Sequence, residues 1–158
     1  MNVADAVAAL SDPDRRAEAA RVVAASGDRS LLPALIEARD SRGEGSIVPL
    51  ADAAQALGGD EEALELAASA DPEDRYLAVR LIELVGDDRH LPALESLVVD
   101  GDRSVAERAR RALAGSERTE AWHELVGRLE RSSDEELAAA ASGWLRAGHR
   151  GPGIFTAE

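Results

Sequence analysis

One segment of this 158-residue chain occurs twice, and its two copies lie 59 positions apart. Each copy contains Asp-Pro, an arginine, Gly-Asp and Leu-Pro-Ala-Leu, at Asp12, Pro13, Arg16, Gly27, Asp28 and 32–35, and again at Asp71, Pro72, Arg75, Gly86, Asp87 and 91–94. The offset is about twice the length of a two-helix repeat, and a weaker copy lies between. This pattern predicts stacked helix pairs, because one pair cannot bury its apolar face alone.

Apolar residues between these matching positions recur at the three- and four-residue spacing of a helix. No segment shows the alternation of apolar and polar residues that is typical of a strand. Asp-Pro is typical of a helix start and glycine of a helix end, so we expect Asp12-Pro13 and Asp71-Pro72 to open helices. In the weak copy we expect a turn at 58–60 and a helix at 61–68 with Leu64 and Leu66 inward. The prediction is an all-α fold with one repeat domain over 1–149: a capping helix at 2–10, units at 12–40, 46–69, 71–99, 102–131 and 133–148, and a tail at 150–158.

The charge balance restricts the partners of the chain. Its net charge is −13, and all 18 basic residues are arginine. Nucleic acid and anionic membranes would be repelled, whereas a basic protein would be attracted. Without cysteine, a signal sequence or a long apolar run, the chain is expected to be cytoplasmic. Exclusive use of arginine suggests a GC-rich, bacterial genome.

No motif for catalysis, for a cofactor or for a metal is found, so we predict that the protein is not an enzyme. No two histidines lie four positions apart on a helix, and each is expected to be exposed or half-buried: His90, His123 and His149. The segment 100–104 begins like a calcium loop, but Val105 and Arg111 replace its required glycine and glutamate. Trp122 and Trp144 lie on apolar stripes, which favours packing over binding.

The second copy resembles the HEAT-like repeats of the bilin-lyase type, whose pattern is Asp-Pro, Val-Arg, an alanine-rich helix, Gly-Asp and Leu-Pro-Ala-Leu. The first copy matches it too, whereas the fourth unit has Ala106 where the family has its arginine. The resemblance implies a right-handed α-solenoid of about five stacked helix pairs, with second helices on the concave side. It also implies a ladder between repeats formed by the aspartate and arginine of the first helices, here Asp12, Arg16, Asp71 and Arg75.

A solenoid of this kind predicts a non-catalytic scaffold or adaptor that binds a protein on its concave face. The predicted binding residues are polar positions of the second helices: Arg29, Glu37, Glu62, Glu65, Arg89, Glu95, Ser96, Glu124 and Arg128. They are more acidic than basic, which favours a basic protein or peptide. Two alternatives stay open: a chromophore- or ligand-handling subunit like relatives of the bilin lyases, and an immunity-type inhibitor of a basic protein. The oligomeric state is left open.

Overall fold

The computed structural model describes residues 1–41 and 45–147, and over these residues it is helical without a strand, which confirms the all-α prediction. The predicted tail at 150–158 lies outside the described residues. The α-helices are α1 Val3–Ala9, α2 Arg16–Ser26, α3 Leu32–Asp40, α4 Val48–Ala56, α5 Gly59–Ala67, α6 Pro72–Val85, α7 Leu91–Leu97, α8 Arg103–Ala114, α9 Glu120–Leu129 and α10 Glu135–Ala147.

The chain divides into an N-terminal unit, Met1–Gly86, and a C-terminal unit, Asp87–Glu158. In the N-terminal unit α1 packs on α2, α2 on α4 and α4 on α6, while α3 and α5 each contact both α4 and α6. In the C-terminal unit α7 packs on α8 and α9, and α9 packs on α10. Small and branched aliphatic side chains fill both cores, as the alanine- and leucine-rich composition leads one to expect.

The aspartate after the repeated glycine closes the same kind of turn in both copies, although Gly27 is left-handed and Gly86 is extended. Asp28 accepts a hydrogen bond from the Ser30 amide at 3.0 Å, and Asp87 accepts one from the Arg89 amide at 2.9 Å. A single 3-10 turn follows each aspartate and leads into a helix with proline in its first turn. Hydrogen bonds from the Ser30 side chain and amide lower the pKa of Asp28, and the Arg89 amide lowers the pKa of Asp87.

The Asp-Pro start differs between the copies. Asp71 is the N-cap of α6, and its side chain accepts from the Glu73 amide at 2.9 Å, as predicted. The prediction that Asp12 caps α2 is wrong, because α2 begins only at Arg16. The oxygens of Asp12 instead close a turn, since its side chain binds the Asp14 amide and its carbonyl binds the Arg15 amide.

The repeated arginine has the same role in both copies. Arg16 is only 2% exposed, and its guanidinium donates to the carbonyl oxygens of Leu10 at 2.8 Å and Ser11 at 3.3 Å. It also donates to the Ser46 carbonyl, which lies just before α4, at 3.3 Å. Arg75 donates to the carbonyls five and six positions before it, those of Ala70 and Ser69, both at 3.0 Å. The arginine thus satisfies backbone acceptors at the end of the preceding segment.

Helix α5 begins earlier than the sequence predicts. Gly58 has φ +77°, and Gly59, expected in the turn, is already helical and buried. A Cβ atom on Gly59 would lie 2.7 Å from the Ala54 carbonyl oxygen, so glycine allows α5 to start against α4. Leu64, expected inward, is 41% exposed, whereas Ala63 takes the buried position.

Gly27 and Gly86 match in the repeat but are required for different reasons. Gly27 has φ +65° and open space around it, so Gly27→Ala should lower the free energy of unfolding by about 1 kcal/mol. A Cβ atom on Gly86 would lie 2.8 Å from Ile82 Cγ2 and closer still to the Ile82 carbonyl oxygen. We therefore expect Gly86→Ala to lower the free energy of unfolding by about 2 kcal/mol. Urea denaturation should show a larger loss of stability for Gly86→Ala than for Gly27→Ala. Equal losses would contradict this prediction.

Candidate protein-interaction surface

The predicted binding residues lie on, or just before, the helices α3, α5, α7 and α9. In the N-terminal unit Arg29 precedes α3, Glu37 is on α3, and Glu62 and Glu65 are on α5. The C-terminal unit carries Arg89 before α7, Glu95 and Ser96 on α7, and Glu124 and Arg128 on α9. Within each unit the structure brings some of them into direct contact, which sequence reasoning did not foresee.

Arg29 joins α5 to the segment that precedes α3. Its Nη1 lies 3.3 Å from Glu62 Oε2, and its Nη2 lies 3.2 Å from Glu61 Oε2. The guanidinium lies directly against Gly58, where a Cβ atom would come within 2.9 Å of Arg29 Nε. Glu61, which neighbours Glu62 and shares the same arginine, is not among the residues predicted from the sequence.

A second group of charges, which we call the Arg80 cluster, consists of Glu37, Arg39, Asp40, Arg80 and Glu83. Arg80 Nη2 donates a hydrogen bond to Glu37 at 3.2 Å and another to Asp40. Arg39 donates to Asp40 at 3.2 Å and forms an ion pair with Glu83 at 3.7 Å. Partial burial disfavours the charged form of Asp40, but the two arginines outweigh it and lower the pKa of that carboxyl. The cluster thus joins α3 to α6. It contains three carboxylates and two guanidinium groups, so it has one negative charge in excess.

The C-terminal unit has a bidentate pair between α7 and α9. Arg128 Nε and Nη2 each lie 3.0 Å from one carboxylate oxygen of Glu95. The hydrogen bonds from Arg128 to Glu95 raise the pKa of the guanidinium. Arg89 lies beside Asp87, with 3.6 Å between Nε and Oδ1.

Three predicted residues, Glu65, Ser96 and Glu124, are exposed, and no ion pair of either glutamate is found within the described part of the chain. The surrounding charge is also acidic. Residues 1–86 contain 17 acidic and 8 basic side chains, so the N-terminal unit carries −9 of the total −13. Internal ion pairs therefore leave carboxylates in excess on this unit.

A cavity of about 180 Å³ opens between α3, α5 and α6 of the N-terminal unit. Most of its wall is aliphatic, and the Arg29–Glu62 ion pair lies at its edge. The apolar lining residues are Leu32, Pro33, Ile36, Leu66, Leu77 and Leu81. Acidic surface and an apolar recess thus occur side by side.

The histidine and tryptophan side chains differ in burial and in their hydrogen-bond partners. His90, expected to be exposed or half-buried, is fully buried. Its Nδ1 accepts a hydrogen bond from the Asp87 amide at 3.2 Å and completes the capping box of the 3-10 turn before α7. Trp122 is fully buried as predicted, and its Nε1 donates to the Leu113 carbonyl at 2.9 Å. Trp144 is half-buried. His149 lies outside the described residues.

Across residues 1–41 and 45–147, no group of three or more acidic or histidine side chains is placed to hold a metal ion. No helix in this part of the chain is long and apolar enough to cross a bilayer. No protein-family model, curated protein or solved structure matches the chain.

Proposed function

We propose that this chain is a non-catalytic protein-binding scaffold of stacked HEAT-like helix pairs, and that it binds a basic protein through the acidic surface of its second helices. Two observations support the stacked arrangement. The helices α2, α4 and α6 follow one another in contact within the N-terminal unit. In both copies the repeated aspartate caps the same 3-10 turn, and the repeated arginine binds backbone carbonyls at the end of the preceding segment.

The observation that carries the proposal is the unbalanced charge on the second helices. One arginine, Arg29, lies between Glu61 and Glu62, and Glu65 follows one turn later on α5. These carboxylates are at least partly accessible to solvent, so they attract a cationic partner and speed its association. The proposal also covers the alternative of an immunity-type inhibitor, because the target of such an inhibitor would be a basic protein too.

The ligand-handling alternative has less support. Pockets for cofactors or drug-sized ligands usually measure roughly 300–1,000 Å³. The cavity between α3, α5 and α6 measures about 180 Å³, which suits a single side chain better than a chromophore.

Reversal of Glu65 and Glu124, the two predicted binding carboxylates for which no ion pair is found within the described residues, tests the proposal. We expect Glu65→Arg combined with Glu124→Arg to weaken binding of the partner at least 10-fold, because each change replaces attraction to a basic surface by repulsion. Glu62 and Glu95 are less suitable, since their reversal would also break hydrogen bonds with Arg29 and Arg128, whereas Glu124 acts on Arg128 only through its charge. The measurement is capture from a lysate of the native host, followed by titration of the captured protein.

The matched control is Asp52→Arg combined with Glu117→Arg, which changes the net charge equally at exposed positions outside the second helices. It should bind like the wild type apart from the general effect of charge. Equal weakening by both pairs of substitutions would reject the second helices as the binding surface. Capture of a protein without a basic surface would reject the proposed partner class.

A further inference from the structure

The apolar recess of the N-terminal unit lies within a charged surface. Leu66 of α5 and Leu77 of α6 line it and are partly accessible, whereas Ile36 and Leu81 form its buried wall. A cavity of about 180 Å³ is slightly larger than an engineered apolar cavity of roughly 150 Å³ that binds benzene. One leucine or phenylalanine side chain therefore fits the space.

The groups around this recess are mainly acidic. Glu62 lies at its edge in contact with Arg29, and Glu61 shares that arginine. Glu65 lies on the same helix, one turn beyond Glu61, and is exposed. A side chain that enters the recess thus brings its neighbours in the partner's sequence near three carboxylates and one guanidinium group.

We infer that the cavity between α3, α5 and α6 takes one aliphatic or aromatic side chain from a basic segment of the partner. Arginine or lysine residues that flank this anchor bind Glu61, Glu62 and Glu65. The inference rests on the proposed function and specifies the partner's chemistry at one site. Charge complementarity selects a cationic segment, and the aliphatic wall selects an apolar anchor, because a polar group there would lose its hydrogen bonds to water.

The test uses two labelled peptides and the whole protein. One peptide has three arginines, glycine, leucine, glycine and three arginines, and the other has serine in place of leucine. Fluorescence anisotropy should show at least 10-fold tighter binding of the leucine peptide to the wild type. Leu66→Trp fills the recess and should abolish this preference by weakening only the leucine peptide.

Leu64→Trp is the matched control, because Leu64 is exposed on the same helix and does not line the recess. It should keep the preference for leucine. If circular dichroism shows that Leu66→Trp is unfolded, Pro33→Trp replaces it, since Pro33 is exposed at the edge of the recess.

The outcomes separate the inference from the proposed function. Equal affinity of the wild type for both peptides, or equal loss of preference in Leu64→Trp and the recess variant, would overturn the anchor site while leaving a basic partner in place. Failure of both peptides to bind the wild type would overturn the proposed function itself.

Discussion

Replacement of Trp122 by alanine is expected to lower the free energy of unfolding of the C-terminal unit by about 4 kcal/mol. The indole of Trp122 is the largest fully buried side chain among the described residues. Its loss leaves a large cavity and deprives the Leu113 carbonyl oxygen of the Nε1 hydrogen bond. Arg118 also loses the ring face over which its guanidinium lies, at 4.1 Å from the centroid. Urea denaturation followed by the emission of the remaining tryptophan measures the change, because both tryptophans belong to the C-terminal unit.

Trp144→Ala is the matched control, because the same side chain is only half-buried there. We expect a loss of no more than about half that of Trp122→Ala, since less apolar surface returns to water. A loss at Trp144 that equals or exceeds the loss at Trp122 would contradict this reading of the C-terminal core.

The second large effect is expected at Arg16. Replacement by methionine keeps much of the side-chain volume but removes the charged donor to the carbonyls of Leu10, Ser11 and Ser46. A hydrogen bond from a charged group contributes about 1.5–3 kcal/mol, and a buried acceptor left without its donor is costly. We expect Arg16→Met to lower the free energy of unfolding of the N-terminal unit by about 3 kcal/mol, measured by urea denaturation.

Arg75→Met provides the comparison within the repeat. Arg75 donates to two carbonyls in the matching positions, but it is half-buried, so water replaces part of what is lost. A loss of about 1 kcal/mol is expected. If both variants lost the same stability, burial of Arg16 and its bond to Ser46 would not be the cause of its larger effect.

Much of the local structure could be predicted from the sequence because it depends on short-range chemistry. Asp71-Pro72 opens α6, and the Gly-Asp turn leads into a proline-containing helix in both copies. The failures occur where the matching motif does not determine the local backbone. Asp12 matches Asp71 in sequence, yet its oxygens close a turn and α2 starts later. Gly59 looks like part of a turn but is helical, because its lack of a side chain lets it contact Ala54.

The candidate surface was predictable only in part. Polar positions on the second helices could be recognised from helical periodicity. Most of their ion pairs could not, because those of Arg29, Glu37 and Glu95 join residues more than thirty positions apart. Arg29 pairs with Glu61 and Glu62 of another helix, and Arg128 pairs with Glu95. The apolar recess was also missed, since it depends on how α3, α5 and α6 are spaced. The handedness of the stack and the Asp-Arg ladder stay predictions.

The division of the chain has a spectroscopic consequence. Both tryptophans belong to the C-terminal unit, whereas the N-terminal unit has Tyr76 as its aromatic residue. Tryptophan emission therefore follows the C-terminal unit alone, while far-UV circular dichroism follows the helices of both. Recorded on one sample, coincident denaturation curves would mean that the units unfold in a single cooperative step, and separated curves would mean that each unit unfolds by itself.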